Sequence, residues 1–203
     1  MKTVRSIRRR LTRGRSTKWR RDHKMEVLNT MPKNSVCAEV GVWKGDLSAE
    51  ILGVVRPKKL HLIDPWMFVN DERFADAWYG GAVSRDQRDM DLIYEGVTQR
   101  FSTEIEQGTV EVHRRASADS THLFADEYFD WVYIDGNHLY EAVKEDLEGF
   151  LPKLKKGGLL AGDDYTSGGW WDGGVKRAVD EFIRHPYVDV VFLEGAQFVL
   201  RKV

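Results

Sequence analysis

A doubly wound, mostly parallel α/β sheet in three layers is the fold that this 203-residue sequence predicts, on three observations. Short apolar runs alternate with helical patterns from residue 35 onward, and that alternation makes parallel strands joined by helical crossovers. Residues 129–138, an amphipathic stretch, and residues 157–165 read as strand, helix and strand, the best-defined unit of the chain. The last two runs, Val188–Leu193 and Gln197–Arg201, face each other across Glu194-Gly195-Ala196 and read as a hairpin that adds an antiparallel edge.

The elements follow in order. Ser35–Val40 and Lys59–Ile63 are apolar strands, with a helical pattern of Leu47, Ile51 and Leu52 between them. Residues 86–106 repeat apolar positions at helical spacing (Met90, Ile93, Val97, Phe101, Ile105), and Gly108 stops the run. Val110–His113 is a third strand, Ala118–Phe124 a helix and Trp131–Ile134 a fourth strand. Tyr140–Leu154 carries apolar residues at 140, 143, 147, 150, 151 and 154, an amphipathic helix that covers the sheet. Leu159–Gly162 is the fifth strand and Val175–Ile183 a further helix ahead of the hairpin.

Carboxylates stand where two of these strands end: Asp135 after the fourth, Asp163 and Asp164 after the fifth. A strand–helix–strand crossover sends both sets out of the same sheet edge. On neighbouring strands about 5 Å apart they come within reach of one hard cation. Two adjacent carboxylates repel, and a cation relieves that repulsion; the alternative for Asp163-Asp164 is a capping or turn pair.

The first strand-to-helix turn, Glu39-Val-Gly41-Val42-Trp-Lys-Gly45, is not a pyrophosphate cradle. Such a turn reads G-x-G-x-x-G, and Trp43 stands where its second glycine would admit phosphate. Asp64, nineteen residues after Gly45, sits where a carboxylate would hold a ribose diol. A ribose acid without a phosphate cradle points to a nucleoside ligand lacking phosphate. S-adenosylmethionine has those features, with an amine for Glu39. Gly41 and Gly45 as ordinary turn residues are the alternative.

In combination and in order, Glu39–Gly45, Ile63–Trp66, Ile134–Tyr140 and Asp163–Tyr165 resemble the class I S-adenosylmethionine-dependent methyltransferases over residues 35–203. The nearest likeness is to small metal-dependent O-methyltransferases acting on catechols or antibiotic sugars. That resemblance implies a Rossmann-like, seven-stranded sheet with its last strand antiparallel. It implies cofactor contacts at Glu39, Gly41, Val42, Gly45, Asp64 and Asp135, with Ala116 and Ser117 flanking the adenine. It also implies Mg²⁺ or another divalent cation on Asp135, Asp163 and Asp164. The expected reaction moves the sulfonium methyl to a hydroxyl of a small acceptor, made more acidic on the cation. His138 is the candidate base, because an imidazole titrates near neutrality; capping the following helix is its other reading. The catechol enzymes carry a lysine at the equivalent spacing, and this chain does not. Trp66, Trp78, Tyr79, Trp170 and Trp171, beside Gly80-Gly81, Gly168-Gly169 and Gly173-Gly174, read either as a lid over the acceptor or as ordinary core and surface packing; the pocket reading is preferred for Trp170 and Trp171, and for Trp78 the two stand level.

Charge is unevenly placed. Residues 1–24 hold eleven Lys/Arg against one acid, Asp22, so this arm carries +10 and residues 25–203 carry −11. The division expected is therefore a basic arm (1–24) and a catalytic domain (25–203). The arm suits nucleic acid, an anionic surface, an organellar address, the chain's own acidic body or a second copy in a homodimer. No apolar run approaches the ~20 residues of a membrane span, and the single Cys37 suits a reducing compartment, so a cytoplasmic protein is expected. A nucleic-acid methyltransferase is the runner-up, against which stands the lack of an N/D-P-P-Y/F motif. A hydroxylase-like relative and a non-catalytic binding domain of the same fold complete the alternatives.

Overall fold

In the computed structural model, which describes residues 18–74, 77, 79 and 84–203, seven strands make one sheet. They are β1 (Val36–Val40), β2 (Lys59–Asp64), β3 (Val110–Arg114), β4 (Phe129–Ile134), β5 (Leu154–Gly162), β6 (Val188–Glu194) and β7 (Gln197–Lys202). Their order is β3-β2-β1-β4-β5-β7-β6. The first five pair in parallel, and β7 runs antiparallel to both β5 and β6. Chain order reverses between β1 and β4, and an open sheet of this kind offers its ligand crevice at that reversal.

The helices are α1 (residues 18–30), α2 (Asp46–Val54), α3 (Gln87–Arg100), α4 (Ser102–Glu106), α5 (Ser117–Ser120), α6 (Tyr140–Phe150) and α7 (Gly174–Phe182). Two apolar cores lie on the two faces of the sheet. One joins Val27, Leu28 and Met31 of α1 to Ile51, Met90, Leu60, Leu62 and Trp131. The other joins Val143, Leu147 and Phe150 of α6 to Val175, Val179 and Phe182 of α7, with Val132, Ile134 and Leu160 from the strands.

The expected strands are present, with differences at their ends. The single helix expected over 86–106 is two: at Phe101, φ −107 and ψ 20 break the helical path, and α4 restarts at Ser102. Ala118–Phe124 resolves into α5 and a 3-10 turn over Thr121–Leu123. The expected helix 140–154 stops at Phe150, and Leu154 already pairs with Phe129 as the start of β5. The ladder slips between Phe129 and Trp131, where the Lys155–Gly158 stretch of β5 is longer than its partner, with Gly157 at φ +78.

Helix α1 was not foreseen. It runs unbroken through residue 24, where the arm was expected to end. Arg20, Lys24, Val27, Leu28 and Met31 fall at helical spacing on one stripe. The apolar half of that stripe is buried under the sheet's first face. Residues 1–17 and Trp78, Gly80 and Gly81 lie outside the described residues. Among the described residues no helix is long and apolar enough to cross a membrane.

Candidate active site

At the carboxyl edge, hydrogen bonding continues past the strands. Gly41 N–H donates to Ile63 O at 2.9 Å, Asp135 N–H to Val40 O at 2.8 Å, and Asp163 N–H to Ile134 O at 3.3 Å. The segments after β1, β4 and β5 are thereby held side by side. Gly41 lies at φ +89, and a Cβ there would sit 2.2 Å from Asp135 O, so only glycine lets these two segments touch. Gly45, at φ +76, opens α2 from the left-handed region with Phe101 against its α-carbon.

Asp64 ends β2 at 1% exposure, and its carboxylate is fully engaged. Val42 and Trp43 N–H donate to Oδ2, each at 2.9 Å. Trp66 N–H and the Tyr79 hydroxyl donate to Oδ1, each at 2.7 Å. Burial pushes its carboxyl up, and the N–H groups of Trp43, Trp66 and Val42 and the Tyr79 hydroxyl pull against that. The expected ribose acid is thus the brace of the glycine turn. A ribose hydroxyl would have to take the place of the Tyr79 donor.

Glu39 is buried at 1% exposure and accepts from Ser48 Oγ at 2.6 Å. Burial pushes its carboxyl up to about 8, so at neutrality it holds its proton. Ala116, exposed in the segment after β3, precedes Ser117, whose hydroxyl bonds Asp146 of α6; burial pushes Asp146 up to about 7. That segment is tied to the edge of β2 by Arg115 N–H donating to Asp64 O at 3.1 Å.

The acidic groups divide between two sets of partners. Lys24 Nζ lies 3.3 Å from Asp135 Oδ2 and 2.8 Å from Asp163 Oδ2. One guanidinium nitrogen of Arg20 reaches Asp163 Oδ1 at 2.9 Å and also bonds Asp164 Oδ1. The two remaining oxygens turn toward His138: its Nε2 lies 3.6 Å from Asp135 Oδ1 and 3.5 Å from Asp164 Oδ2. At those lengths neither is a hydrogen bond, and both ring nitrogens are buried with no hydrogen-bond partner among the described residues. Ligand atoms of Asp135, His138 and Asp164 all lie within 4.8 Å of one another.

Asp163 is not part of that convergence. Its Oδ1 accepts from its neighbour Asp164 N–H and from Gln197 Nε2, both at 2.7 Å, and Gln197 in turn accepts from the Tyr133 hydroxyl. The turn-capping alternative describes Asp163, while Asp164, at φ +60, swings its carboxylate to His138. The ligand atoms that the geometry gathers belong to Asp135, His138 and Asp164, and Asp163 lies beside them on Lys24 and Arg20. Burial pushes the His138 imidazole down, but Asp135, Asp164 and Asp163 around it outweigh that and hold it above its usual value. Burial likewise pushes Asp135 up, and Lys24 and His138 hold it below the usual carboxylate range.

Of the aromatic residues expected over an acceptor, Trp170 and Trp171 lie beside His138. His138 lies against Trp170 (5.8 Å between ring centroids, near-parallel) and edge-on to Trp171 (4.8 Å). Trp66 belongs to the core, fully buried, its indole N–H donating to Trp43 O at 2.8 Å.

Residues that sequence reasoning passed over are Arg20, Lys24 and Gln197. The first two carried a signal: their i, i+4 spacing continues the apolar stripe of 27, 28 and 31, so one helix face is basic and then buried. Gln197 carried none, because its role depends on β7 lying beside β5.

Residues 38–165 match a family of methyltransferase domains. No curated protein matches the sequence. Among solved structures, a candidate caffeoyl-CoA O-methyltransferase from Staphylococcus aureus superposes with a TM-score of 0.60 at 14% identity, over 90% of this chain and 82% of that one. A candidate methyltransferase from Streptococcus mutans in complex with SAH gives 0.57 at 13% identity, over 90% and 97%. A SAM-dependent methyltransferase from Aquifex aeolicus gives 0.56 at 14% identity, over 88% of each. At these identities the likeness is one of fold. With the sheet order, the glycine turn and the edge carboxylates in place, the family match over most of the ordered domain settles the class: the chain belongs to the methyltransferase-domain family, with the class I fold.

Proposed function

We propose that the protein uses S-adenosylmethionine to methylate a hydroxyl of a small acceptor, assisted by a divalent cation at Asp135, His138 and Asp164. The observation that carries this reading is the convergence of the buried His138 Nε2, which makes no hydrogen bond, on one oxygen each of Asp135 and Asp164, a place where an ion would take over from the imidazole proton. A donor set of two carboxylates and an imidazole suits a divalent ion. The other oxygen of each aspartate is held by Lys24 or Arg20, so the two cationic side chains orient the carboxylates from behind and need not leave. When bound, such an ion supplies Lewis-acid polarisation of the acceptor hydroxyl.

The chain's own residues do the rest. The Gly41–Gly45 turn leaves a narrow, backbone-lined wall for the donor, with protonated Glu39 beneath it as a hydrogen-bond donor. Trp170 and Trp171 wall the acceptor side, exclude water and suit a flat ring, since indoles stack. Positioning donor methyl and acceptor oxygen in line is the main catalytic contribution, as in any transfer between two bound substrates.

Residues 18–24 favour a small acceptor over nucleic acid. Arg20 and Lys24 point into the chain's own carboxylates, and Arg21 lies 3.7 Å from Glu50. A panel of catechols and hydroxylated sugars, assayed by release of S-adenosylhomocysteine, tests the proposal. Turnover should be lost on chelation and restored by Mg²⁺ or Mn²⁺. Undiminished turnover in chelator would remove the cation from the mechanism.

A further inference from the structure

Away from the carboxyl edge, on the outer parallel pair β2–β3, two histidines and a glutamate converge. In the register His61 stands beside Glu111, and Ile63 beside His113. Side chains alternate faces along a strand, so His61, Glu111 and His113 share one face, the one packed by Phe124 and Phe129. His61 Nδ1 and His113 Nε2 are 2.9 Å apart. Glu111 Oε1 lies 3.7 Å from His113 Nε2, and its Oε2 lies 4.0 Å from His61 Nδ1. All three ligand atoms fall within 4.8 Å of one another.

We propose that His61, Glu111 and His113 form a second cation site, suited to a borderline transition-metal ion of the Zn²⁺ class. Metal–nitrogen bonds of about 2.0–2.1 Å at tetrahedral angles place neighbouring ligand atoms roughly 3.3 Å apart. The two nitrogens at 2.9 Å, and Oε1 at 3.7 Å from His113 Nε2, lie either side of that figure, and a turn of the half-exposed Glu111 side chain toward His61 completes the set.

Two further features favour it. The second nitrogen of His61, Nε2, lies 3.0 Å from the Tyr128 hydroxyl. If that nitrogen carries the proton and donates it to the hydroxyl, Nδ1 accepts from His113 Nε2–H at 2.9 Å, and an ion would take the place of that one proton. Two cationic groups near the cluster, Lys59 and Arg115, oppose an ion by their charge. Lys59 Nζ, at 2.8 Å, is committed to Glu111 Oε2 and leaves Oε1 free. Finally, Phe124, Tyr128 and Phe129 hold the His61 ring from three sides, while Glu111 stays half-exposed, so an ion has a rigid seat and a path from solvent.

Zn²⁺ calorimetry on the full chain tests this, with Co²⁺ absorption reporting nitrogen ligation. Wild type and Asp164→Asn should both take up the ion here. His113→Gln should lose that uptake, and Glu111→Gln, at an exposed position that cannot disturb the core, should weaken it by at least about tenfold. Should His113→Gln fail to fold, Glu111→Gln decides alone. No Zn²⁺ uptake by the wild type, or uptake unchanged in Glu111→Gln but lost in Asp164→Asn, would overturn the proposal.

Discussion

Asp64 accepts hydrogen bonds from Val42, Trp43 and Trp66 N–H and from Tyr79, and its contribution is therefore to the fold of the glycine turn. Asp64→Ala leaves three backbone donors unpaired in a buried place, and should cost at least about 2 kcal/mol in urea unfolding. Unchanged stability would show that the turn holds without it. Glu39 gives a pH signature. Its folded-state value of about 8 stands above the ordinary 4.5, so between those limits the folded chain keeps a proton that the unfolded chain has lost. The Glu39 contribution to stability should thus fall as pH rises through that window, and Glu39→Gln should flatten the profile. An identical profile in the variant would mean that Glu39 is not protonated. The acids at the strand ends were legible in the sequence because carboxylates after parallel strands share an edge. Which oxygen faces which partner was not, since Asp163 and Asp164 differ only by one backbone step into the left-handed region at Asp164.

Helix α1 brings cations to carboxylates through its length. Its buried residues Val27, Leu28 and Met31 anchor one end, and Arg20 and Lys24 reach the edge two turns earlier. Lys24→Met should destabilise by about 1–3 kcal/mol, the range for a partly exposed pair whose loss leaves two carboxylates uncompensated. The same change should tighten divalent-cation binding at Asp135 and Asp164, because less positive charge then opposes it. Weaker cation binding in Lys24→Met would show that the lysine orients the ligands more than it repels the ion; urea unfolding and calorimetry together separate the two effects. The helix went unread because eleven basic residues dominate the composition of 1–24 and mask a stripe that continues across residue 24. By contrast α6 was plain, its apolar positions 140, 143, 147 and 150 on one face, though its end was read four residues late, because Leu151 and Leu154 continue the helical spacing into a turn and a strand.

Across the molecule, alternation of strand and helix patterns carried the topology, and the reversal between β1 and β4 follows from right-handed crossovers on both faces. The site forms where that reversal opens the sheet: the Gly41 turn on one side, Asp135, His138 and Asp164 on the other, in direct backbone contact through Gly41. Donor and cation are therefore neighbours in this account, and proximity is its central claim. The methyl proton resonance of bound S-adenosylmethionine, followed while Mn²⁺ is added, reads that proximity, since paramagnetic broadening acts only at short range. The account predicts strong broadening in the wild type and its loss in Asp164→Asn with the donor still bound. A methyl signal that stays sharp in wild-type protein at saturating Mn²⁺ would contradict it.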